Sequence, residues 1–550
     1  MLTRRSIADD LVGACRQAGS THVFGVPGGG SNLDVVGAAV EHGLQFVLVH
    51  TETAAAIMAG VVGELTGAPG VCVATRGPGV ASVMNGVAQA MLDRQPLIVV
   101  TDCVTEADHA RVSHQRLDQQ ALMAPVTKAT VVLDGRRPEA ATRAVQHTLT
   151  GRPGAVHVDI DPGRLGAVDL IPDPPTTQGD PRLALELIAT ARRPVIIAGV
   201  GVVAQSMTAR AATVDAIANV GRSHHVPVLC TYKARGVVAD SSSWCAGVAT
   251  GATIESPVLD AADLIIGVGL DPVELIPAAW SYAAPVVLLG SWPVDDSSFF
   301  GDHLALEVVG NLAELVEAAS AVMRTDCEAD AGERFRRAAQ HEVRAAAPVE
   351  PNALTPQQVV DVANRAAAAG TIATVDAGAH MLVVMPLWSA HAPGELLISS
   401  GLATMGFALP AAIAAALVHP ERRVVCFTGD GGIGMALGEL ETVARLHLSI
   451  TVVVFNDSTL SLIAAKQQPE GHGGEAAVTY RPVDFAAVAR GCGVPGERVN
   501  DVDAYDRAVR ASFAKAGPTL LDVSVDPSAY GAVLDAVRGA RPVSGSRIGR

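Results

Sequence analysis

The sequence predicts an α/β protein made of three doubly wound domains, each built on a parallel sheet. Short, continuously apolar strands such as 424–427 and 450–455 alternate with helix-period segments, which is typical of parallel sheets covered on both faces. The chain has 550 residues, too many for a single hydrophobic core. Two proline-containing segments, 169–181 and 345–354, read as linkers and divide the chain into three blocks.

We therefore predict domains at 1–170, 182–340 and 355–530. The last stretch, 537–550, carries four arginines among glycine and serine, and we predict a disordered tail there. The third block opens with Thr355-Pro356, a helix cap followed by proline at the first helical position. In the first block, apolar strands are predicted at 23–27, 45–50, 71–75 and 96–101.

Composition excludes several classes of protein. The net charge of −16 argues against a nucleic-acid partner. No apolar run reaches the roughly 18 residues of a membrane helix, so no membrane association is expected. The start, MLTRRSIADD, lacks the apolar core of a signal peptide, and the eight cysteines form no C-x-x-C pair. A cytoplasmic location with reduced cysteines is predicted.

The most informative stretch runs from 423 to 463 and predicts one βαβ unit. A glycine-rich turn at 429–432 separates the first strand from a single helix, whose apolar positions recur from Met435 to Leu446. Asp430 and Asn456 follow the two strands, and ligands of parallel sheets bind at that edge. A carboxylate and an amide oxygen suit Mg²⁺, and the glycine N–H groups suit a phosphate.

The spacing of this pair carries a resemblance. Gly429-Asp430-Gly431, with Asn456-Asp457 following 26 residues after Asp430, resembles the diphosphate-binding motif of thiamine diphosphate enzymes. The resemblance implies that Asp430, Asn456 and the backbone carbonyl of Ser458 hold Mg²⁺ against the cofactor's diphosphate. The other candidate cofactor-binding residues of this stretch are Gly429, Gly431, Gly432, Thr459 and Leu460.

The first block resembles the pyrimidine-binding domain of the same family. Glu52 lies at a predicted helix start in HTETAAAIMAG, and Arg76-Gly77-Pro78-Gly79 follows the next strand. The resemblance implies that Glu52 hydrogen-bonds a ring nitrogen of the aminopyrimidine, and that the resulting tautomer removes the proton from the thiazolium. Such a carboxyl is expected to be shielded from water.

Two further segments of the third block match the family. The run 401–410 resembles the segment beneath the thiazolium ring, where Met405 would support the bent cofactor and Thr404 would contact it. Asp376-Ala377-Gly378 resembles a cofactor-contacting turn, which makes Gly378 and His380 candidates. The order of the blocks is that of the acetolactate synthase and benzoylformate decarboxylase branch.

The resemblance implies thiamine diphosphate-dependent decarboxylation of a 2-keto acid. We expect the acyl unit to be ligated to a second carbonyl, as in acetolactate synthesis. A non-ligating decarboxylase of the benzoylformate type, a C–C hydrolase or acyloin lyase, and a catalytically silent relative are the alternatives. Intact Glu52, Asp430 and Asn456 argue against a silent relative.

Three departures from acetolactate synthases bear on substrate and flavin. His114-Gln115-Arg116 stands where they carry Phe-Gln-Glu, and Lys466 stands where they carry a substrate-selecting tryptophan. Leu270 to Glu274 replaces an arginine-rich run near FAD, so we expect no tightly bound FAD. The G-x-G-x-x-A turn at Gly199 lacks a ribose-binding acid downstream and is interpreted as structural. The candidate catalytic and substrate-binding residues are Glu52, Gln115, His114, Lys466 and His472, the last in a flexible glycine-rich segment.

The resemblance also bears on assembly. Glu52 and Asp430 lie in different blocks, at opposite ends of one cofactor in the family. In enzymes of this kind, the pyrimidine domain of one subunit faces the diphosphate domain of another. A homodimer at least, and a homotetramer as the full assembly, is therefore expected.

Overall fold

The computed structural model describes residues 3–137, 139–162, 164, 177–276, 279–348, 353–467 and 474–539. His472, the tail beyond Gly539 and most of the predicted linker 169–181 lie outside the described residues. The described residues form three six-stranded sheets whose neighbouring strands all pair in parallel. The predicted fold class is confirmed.

The first sheet has the strand order β2-β1-β3-β4-β6-β5. Its strands are β1 His22–Val26, β2 Gln45–Leu48, β3 Gly70–Ala74, β4 Leu97–Thr101, β5 Ala129–Leu133 and β6 Ala155–Ile160. Its helices are α1 Arg4–Gln17, α2 Ser31–Glu41, α3 Glu52–Thr66, α4 Pro78–Leu92, α5 Gln119–Met123 and α6 Glu139–His147.

The middle sheet has the order β12-β11-β10-β7-β8-β9. Its strands are β7 Pro194–Ala198, β8 Val228–Cys230, β9 Cys245–Val248, β10 Leu264–Val268, β11 Val286–Gly290 and β12 Leu304–Val309. Its helices are α7 Pro181–Thr190, α8 Val200–Val203, α9 Met207–His224, α10 Ser256–Leu259, α11 Leu312–Val322 and α12 Ala331–Ala345.

The third sheet has the order β14-β13-β15-β16-β18-β17, so its topological switch point lies between β13 and β15. Its strands are β13 Ile372–Val375, β14 Leu396–Ile398, β15 Val424–Gly429, β16 Ile450–Asn456, β17 Gly496–Val499 and β18 Thr519–Ser524. Its helices are α13 Pro356–Ala366, α14 Met381–Leu387, α15 Ala408–Val418, α16 Asp430–Met435, α17 Glu439–Arg445, α18 Ser461–Gln467, α19 Phe485–Gly491, α20 Val502–Phe513 and α21 Tyr530–Arg538.

The βαβ prediction for 423–463 is confirmed in its strands and wrong in its helix. The single predicted helix is two, α16 and α17, with Ala436 to Gly438 between them. The break lets α17 dock on the first domain, where Glu439 accepts a hydrogen bond from the His50 N–H at 3.0 Å. Met435, which the pattern placed in the core, is 60% exposed.

The first and third domains share one apolar core. Helix α3 packs on α15, and the buried residues of both helices are mostly alanine, which lets the two backbones approach closely. The hydroxyl of Thr404 donates to Asn85 Oδ1 at 2.9 Å across the same boundary. This packing holds the third domain against the first.

The carboxyl-terminal prediction needs a correction. Val537 and Arg538 lie in α21, because Val537 is fully buried and the helix end docks on the middle domain. In the part of the chain that is described, no helix is both long and apolar enough to cross a membrane.

Candidate active site

Asp430 and Asn456 stand side by side at the carboxyl edge of the third sheet. Gly429 pairs with Phe455 in the parallel register of β15 and β16, so the next residue of each strand reaches the same level. Both side chains are buried. The convergence that the spacing predicted is therefore present, next to the switch point where doubly wound sheets bind ligands.

Two carboxylates meet there without a basic partner. Asp430 accepts hydrogen bonds from the backbone N–H groups of Gly431 at 2.6 Å and Thr459 at 3.2 Å. Burial raises the pKa of Asp430, and burial together with the Asp430 charge raises the pKa of Asp457 to about 7. Within the described residues, no Lys, Arg or His forms a salt bridge with either carboxylate. This is an arrangement that a bound cation would stabilise.

The amide of Asn456 is held by its nitrogen. Nδ2 donates to the carbonyl of Val483 at 3.0 Å and to Asp522 Oδ1 at 2.8 Å. Asp522 is fully buried, and its second oxygen accepts from the Phe485 N–H at 3.0 Å. With both N–H donors engaged, the Asn456 amide oxygen is left to accept another partner. Sequence reasoning missed Asp522, although a lone carboxylate inside the apolar strand β18 is an unusual feature.

Ser458 lies between these groups in a left-handed conformation, with φ of 60°. Its carbonyl oxygen accepts a hydrogen bond from the Tyr480 N–H at 2.7 Å, a partner that sequence reasoning missed. A carbonyl has two lone pairs, so this bond leaves room for a cation. Within the described residues, no cluster of three or more His, Cys, Asp or Glu could hold a metal. The predicted set of one carboxylate, one amide and one carbonyl is not of that type, and it fits Mg²⁺.

A cavity of about 280 Å³ opens at the switch point between β13 and β15. Of the predicted cofactor-binding residues, those lining it include Gly378, His380, Met405, Asp430, Thr459 and Leu460, together with Gly429, Gly431 and Gly432. Asn456 and Ser458 line an adjoining cavity of about 490 Å³, which shares Asp430 and Gly431. Thr404 lines neither cavity, since its hydroxyl faces Asn85.

His380 lines the 280 Å³ cavity, and one of its ring nitrogens has no described hydrogen-bond partner. Burial lowers its pKa to about 3, so the imidazole is neutral. Its ring stacks on Phe455 with centroids 5.3 Å apart, and its buried Nε2 has no hydrogen-bond partner in the described structure. A Cβ at Gly378 would lie 2.8 Å from the His380 ring, so a larger residue at 378 would displace the imidazole. The other ring nitrogen donates to the Asp376 backbone carbonyl, so Nε2 of the neutral ring carries a lone pair that can accept a hydrogen bond from a ligand.

Met405 and Leu460 cover the glycine turn from the cavity side. A Cβ at Gly431 would lie 2.7 Å from Leu460 Cδ2 and 3.3 Å from Met405 Cε. Glycine at this position therefore lets two apolar side chains rest against the loop that carries Asp430.

Glu52 belongs to a separate group of residues in the first domain. It begins α3, whose cap is the Thr51 hydroxyl, which accepts from the Ala54 N–H at 3.2 Å. A Cβ at Gly79 would lie 3.4 Å from Glu52 Oε1, and one at Gly77 would lie 2.8 Å from the Gln115 carbonyl oxygen. The Gly77–Gly79 turn thus brings Glu52 and Gln115 to one edge of the first sheet.

The structure does not bring this first-domain group to the Asp430 cavity. The residues lining the 280 Å³ cavity all lie between 377 and 538, in the third domain. Gln115 lines a different cavity of about 560 Å³, and His114 is exposed and lines neither. Glu52 therefore does not line the cavity that contains Asp430.

In the middle domain, groups of the chain itself occupy the topological switch point between β7 and β10. The turn after β7 packs against the turn after β10, where the Gly201 N–H donates to the Gly269 carbonyl at 2.8 Å. The Val200 N–H donates to Glu274 Oε2 at 2.7 Å, and the Thr231 hydroxyl donates to Glu274 Oε1 at 2.5 Å. Burial raises the pKa of Glu274 to about 8. The Glu274 carboxyl group therefore occupies the N-terminal end of α8, where the phosphate of a dinucleotide would bind.

Comparison with family models matches all three domains. Residues 5–122 match the N-terminal TPP binding domain of thiamine pyrophosphate enzymes, and residues 182–319 match their central domain. Residues 376–523 match their C-terminal TPP binding domain.

Curated relatives are similar over nearly the full chain. The catabolic acetolactate synthase of Raoultella terrigena is 30% identical over 541 residues, covering 94% of this chain and 95% of that protein. The acetolactate synthase of Bacillus subtilis (strain 168) is 28% identical over 552 residues, covering 96% and 94%. The acetolactate synthase isozyme 2 large subunit of Escherichia coli (strain K12) is 28% identical over 538 residues, covering 94% and 95%.

Proposed function

This chain belongs to the thiamine diphosphate-dependent enzymes, and from that membership we propose that it decarboxylates a 2-keto acid and ligates the acyl unit to a second carbonyl compound. The reaction would resemble acetolactate synthesis, which is the activity named for its relatives. One observation carries the proposal at the level of the site. Two carboxylates without a described basic partner line the cavity at the third sheet's switch point. A magnesium ion bound there would neutralise their charge.

Asp430, Asn456 and the Ser458 carbonyl would hold Mg²⁺. The three groups are hard oxygen donors on neighbouring loops, and Asp522 leaves the Asn456 oxygen available by engaging the amide nitrogen. His380 lines the same cavity, where Nε2 of the neutral imidazole would accept a hydrogen bond from a protonated group of the ligand. Gly378 and the glycine turn 429–432 would admit the phosphates close to the backbone, with Thr459 and Leu460 beside them.

When bound, thiamine diphosphate supplies a nucleophilic carbon that adds to a keto group and takes up the electrons left when carbon dioxide departs. Glu52 would hydrogen-bond the aminopyrimidine ring and exchange a proton there. Met405 would support the ring system from the side of the glycine turn that it covers. Gln115 would contact the reacting groups from the first domain, and Lys466, which lines the 280 Å³ cavity, would pair with a substrate anion.

The separation of Glu52 from the Asp430 cavity supports assembly from at least two chains. Since Glu52 and Asp430 do not share a cavity in one chain, a complete site would form where the first domain of one subunit faces the third domain of another. We propose a homodimer as the minimal unit, with two sites related by two-fold symmetry, and a homotetramer as the full assembly. All eight cysteines are free, which supports the proposed cytoplasmic location.

We also propose that the enzyme works without FAD. The Glu274 carboxyl group and the Gly269 carbonyl already use the N–H groups that follow β7. A flavin dinucleotide would have to displace this buried carboxyl to bind in the usual way.

The test is a product assay. Purified protein loaded with thiamine diphosphate and Mg²⁺ is incubated with a panel of 2-keto acids, singly and in pairs, and products are identified by mass spectrometry. Carbon dioxide with a ligated 2-hydroxy-keto product supports the proposal. Release of an aldehyde alone would identify a non-ligating decarboxylase instead, and no carbon dioxide from any 2-keto acid would refute the decarboxylation itself. Asp430→Ala protein serves as the inactive control.

A further inference from the structure

The wall of the 280 Å³ cavity carries charges of both signs. Asp430 and Asp457 line it, and so do Lys466 and Arg538. In the described part of the chain, neither cation forms a salt bridge with a carboxylate. The two carboxylates suit a metal ion, so Lys466 and Arg538 are available to bind an anion.

Arg538 is held in place by neighbours rather than by a counter-ion. Its guanidinium carbon lies 5.6 Å from the ring centroid of Tyr232, a buried residue of the middle domain. Its Nε is buried and has no hydrogen-bond partner among the described residues. The end of α21 is fixed to the same domain, because the Gly539 N–H donates to the Thr253 hydroxyl at 2.9 Å. A guanidinium held in this way loses little freedom when it binds an anion.

Lys466 approaches from a neighbouring helix. It lies near the end of α18, and α18 packs on α21, so the two cations belong to one wall formed by two contacting helices. Lys466 is exposed where Arg538 is partly buried. The wall thus combines the exposed ammonium group of Lys466 with the partly buried guanidinium group of Arg538.

The chemistry of decarboxylation indicates which anion these cations suit. A carboxylate that must leave as carbon dioxide loses its charge in the transition state, so strong pairing with two cations would favour the ground state and slow the reaction. An anion that keeps its charge throughout gains binding energy from the same pair without that penalty. The two cations therefore suit a group that does not react.

We propose that Lys466 and Arg538 bind a second, non-reacting anionic group of the substrate. Resting on the proposed function, this inference assigns the substrate class as a 2-keto acid, or a carbonyl acceptor, with a terminal carboxylate or phosphate. Thiamine diphosphate itself carries phosphates that could reach the same wall, so the experiment must separate the two sources of negative charge.

The experiment compares matched substrates and measures binding as well as turnover. 2-Oxoglutarate is compared with 2-oxopentanoate as donor, and glycolaldehyde phosphate with glycolaldehyde as acceptor. For each pair, the ratio of kcat/KM values is measured for wild-type, Arg538→Gln and Lys466→Gln holoenzyme. Arg507→Gln, which alters an exposed arginine of the same domain that lines neither site cavity, is the control. Calorimetry measures the Kd of 2-oxoglutarate and, separately, of thiamine diphosphate for each protein.

We expect wild-type enzyme to prefer the charged member of at least one pair, and Arg538→Gln to reduce that preference by about 10- to 100-fold, as the loss of a charge-assisted hydrogen bond does. Lys466→Gln should reduce it less, because Lys466 is exposed to solvent. Arg507→Gln should retain the wild-type ratio. Circular dichroism checks folding, and Lys466→Gln, on an exposed position, remains informative if Arg538→Gln does not fold.

Two results would overturn the inference. A weaker Kd for thiamine diphosphate with an unchanged substrate ratio would assign the cations to the cofactor's diphosphate. Equal kcat/KM values for the charged and uncharged members of both pairs in wild-type enzyme would show that the substrate does not carry the proposed second anionic group. If no 2-keto acid releases carbon dioxide, the proposed function fails, and the calorimetric Kd of 2-oxoglutarate then decides the inference alone. Binding that weakens in Arg538→Gln would uphold it, and absent or unaltered binding would refute it.

Discussion

Replacing Asp522 with alanine should weaken metal binding although Asp522 is not a predicted metal ligand. Its carboxylate accepts hydrogen bonds from Asn456 Nδ2 at 2.8 Å and from the Phe485 N–H at 3.0 Å, and it is fully buried. Alanine would leave the Phe485 N–H unsatisfied and the Asn456 amide held by Val483 alone. The amide could then rotate and turn its nitrogen toward the metal.

The size of the effect follows from these two bonds. A buried group that loses its partner costs about 1–3 kcal/mol, so the free energy of unfolding should fall by roughly 2–6 kcal/mol for the two donors together. Loss of a residue that orients a metal ligand typically weakens metal affinity by about 10- to 100-fold. Asp522→Asn, whose amide oxygen can still accept from Asn456, should lie between wild type and Asp522→Ala.

The assay is a Mg²⁺ titration of protein saturated with thiamine diphosphate, followed by calorimetry, with stability measured on the metal-free protein. Thr451→Val is the control, because Thr451 is buried on β16 and bonds to Ser512, away from the metal loop. If Asp522→Ala loses stability as expected but binds Mg²⁺ with wild-type affinity, Asp522 only supports the fold and the positioning argument is wrong.

Four further predictions can be checked independently. Asp430→Ala should abolish thiamine diphosphate binding, since an amide and a carbonyl hold Mg²⁺ poorly without a carboxylate, and unchanged calorimetric affinity would remove Asp430 from the site. Mixing inactive Glu52→Ala and Asp430→Ala proteins under conditions of subunit exchange should restore part of the activity, because a mixed dimer has one site with neither lesion. If mass measurement shows that subunits have exchanged and no activity returns, both residues act within one subunit. The purified protein should be colourless, and a flavin absorption band would contradict the closed middle-domain turn. The pKa of Glu274 rises from 4.5 to about 8 on folding, so between these pH values the folded state binds one proton that the unfolded state has lost. The free energy of unfolding should therefore decrease as pH rises through that window. Glu274→Gln should flatten this slope in thermal melts, and an unaltered slope would exclude Glu274 as its source.

Much of the cofactor end was predictable because its geometry is local. Parallel strands end at one edge of a sheet, so residues that follow β15 and β16 must lie together whatever surrounds them. The end of the strand at Gly429 was also predictable, whereas residues 430–432, which were predicted as a turn, form the start of α16. Asp430 and Asn456 follow from the rule for strand ends.

The helix after that turn shows where periodicity stops being sufficient. An apolar repeat from Met435 to Leu446 predicts one helix, but the structure has two, and Glu439 at the start of the second accepts a hydrogen bond from His50. The partner lies in another domain, and no local pattern contains it.

By itself, the sequence determined the three parallel sheets, the family and the residues that end neighbouring strands, because strand period and turn chemistry act over a few residues. The tertiary structure alone decided which buried polar groups contact one another. Asp522 orients Asn456 across 66 residues, Glu274 fills the middle-domain turn across 74, and Arg538 meets Tyr232 from another domain. Side-chain hydrogen bonds and charge pairs have no sequence period, so their partners are set only when the domains pack.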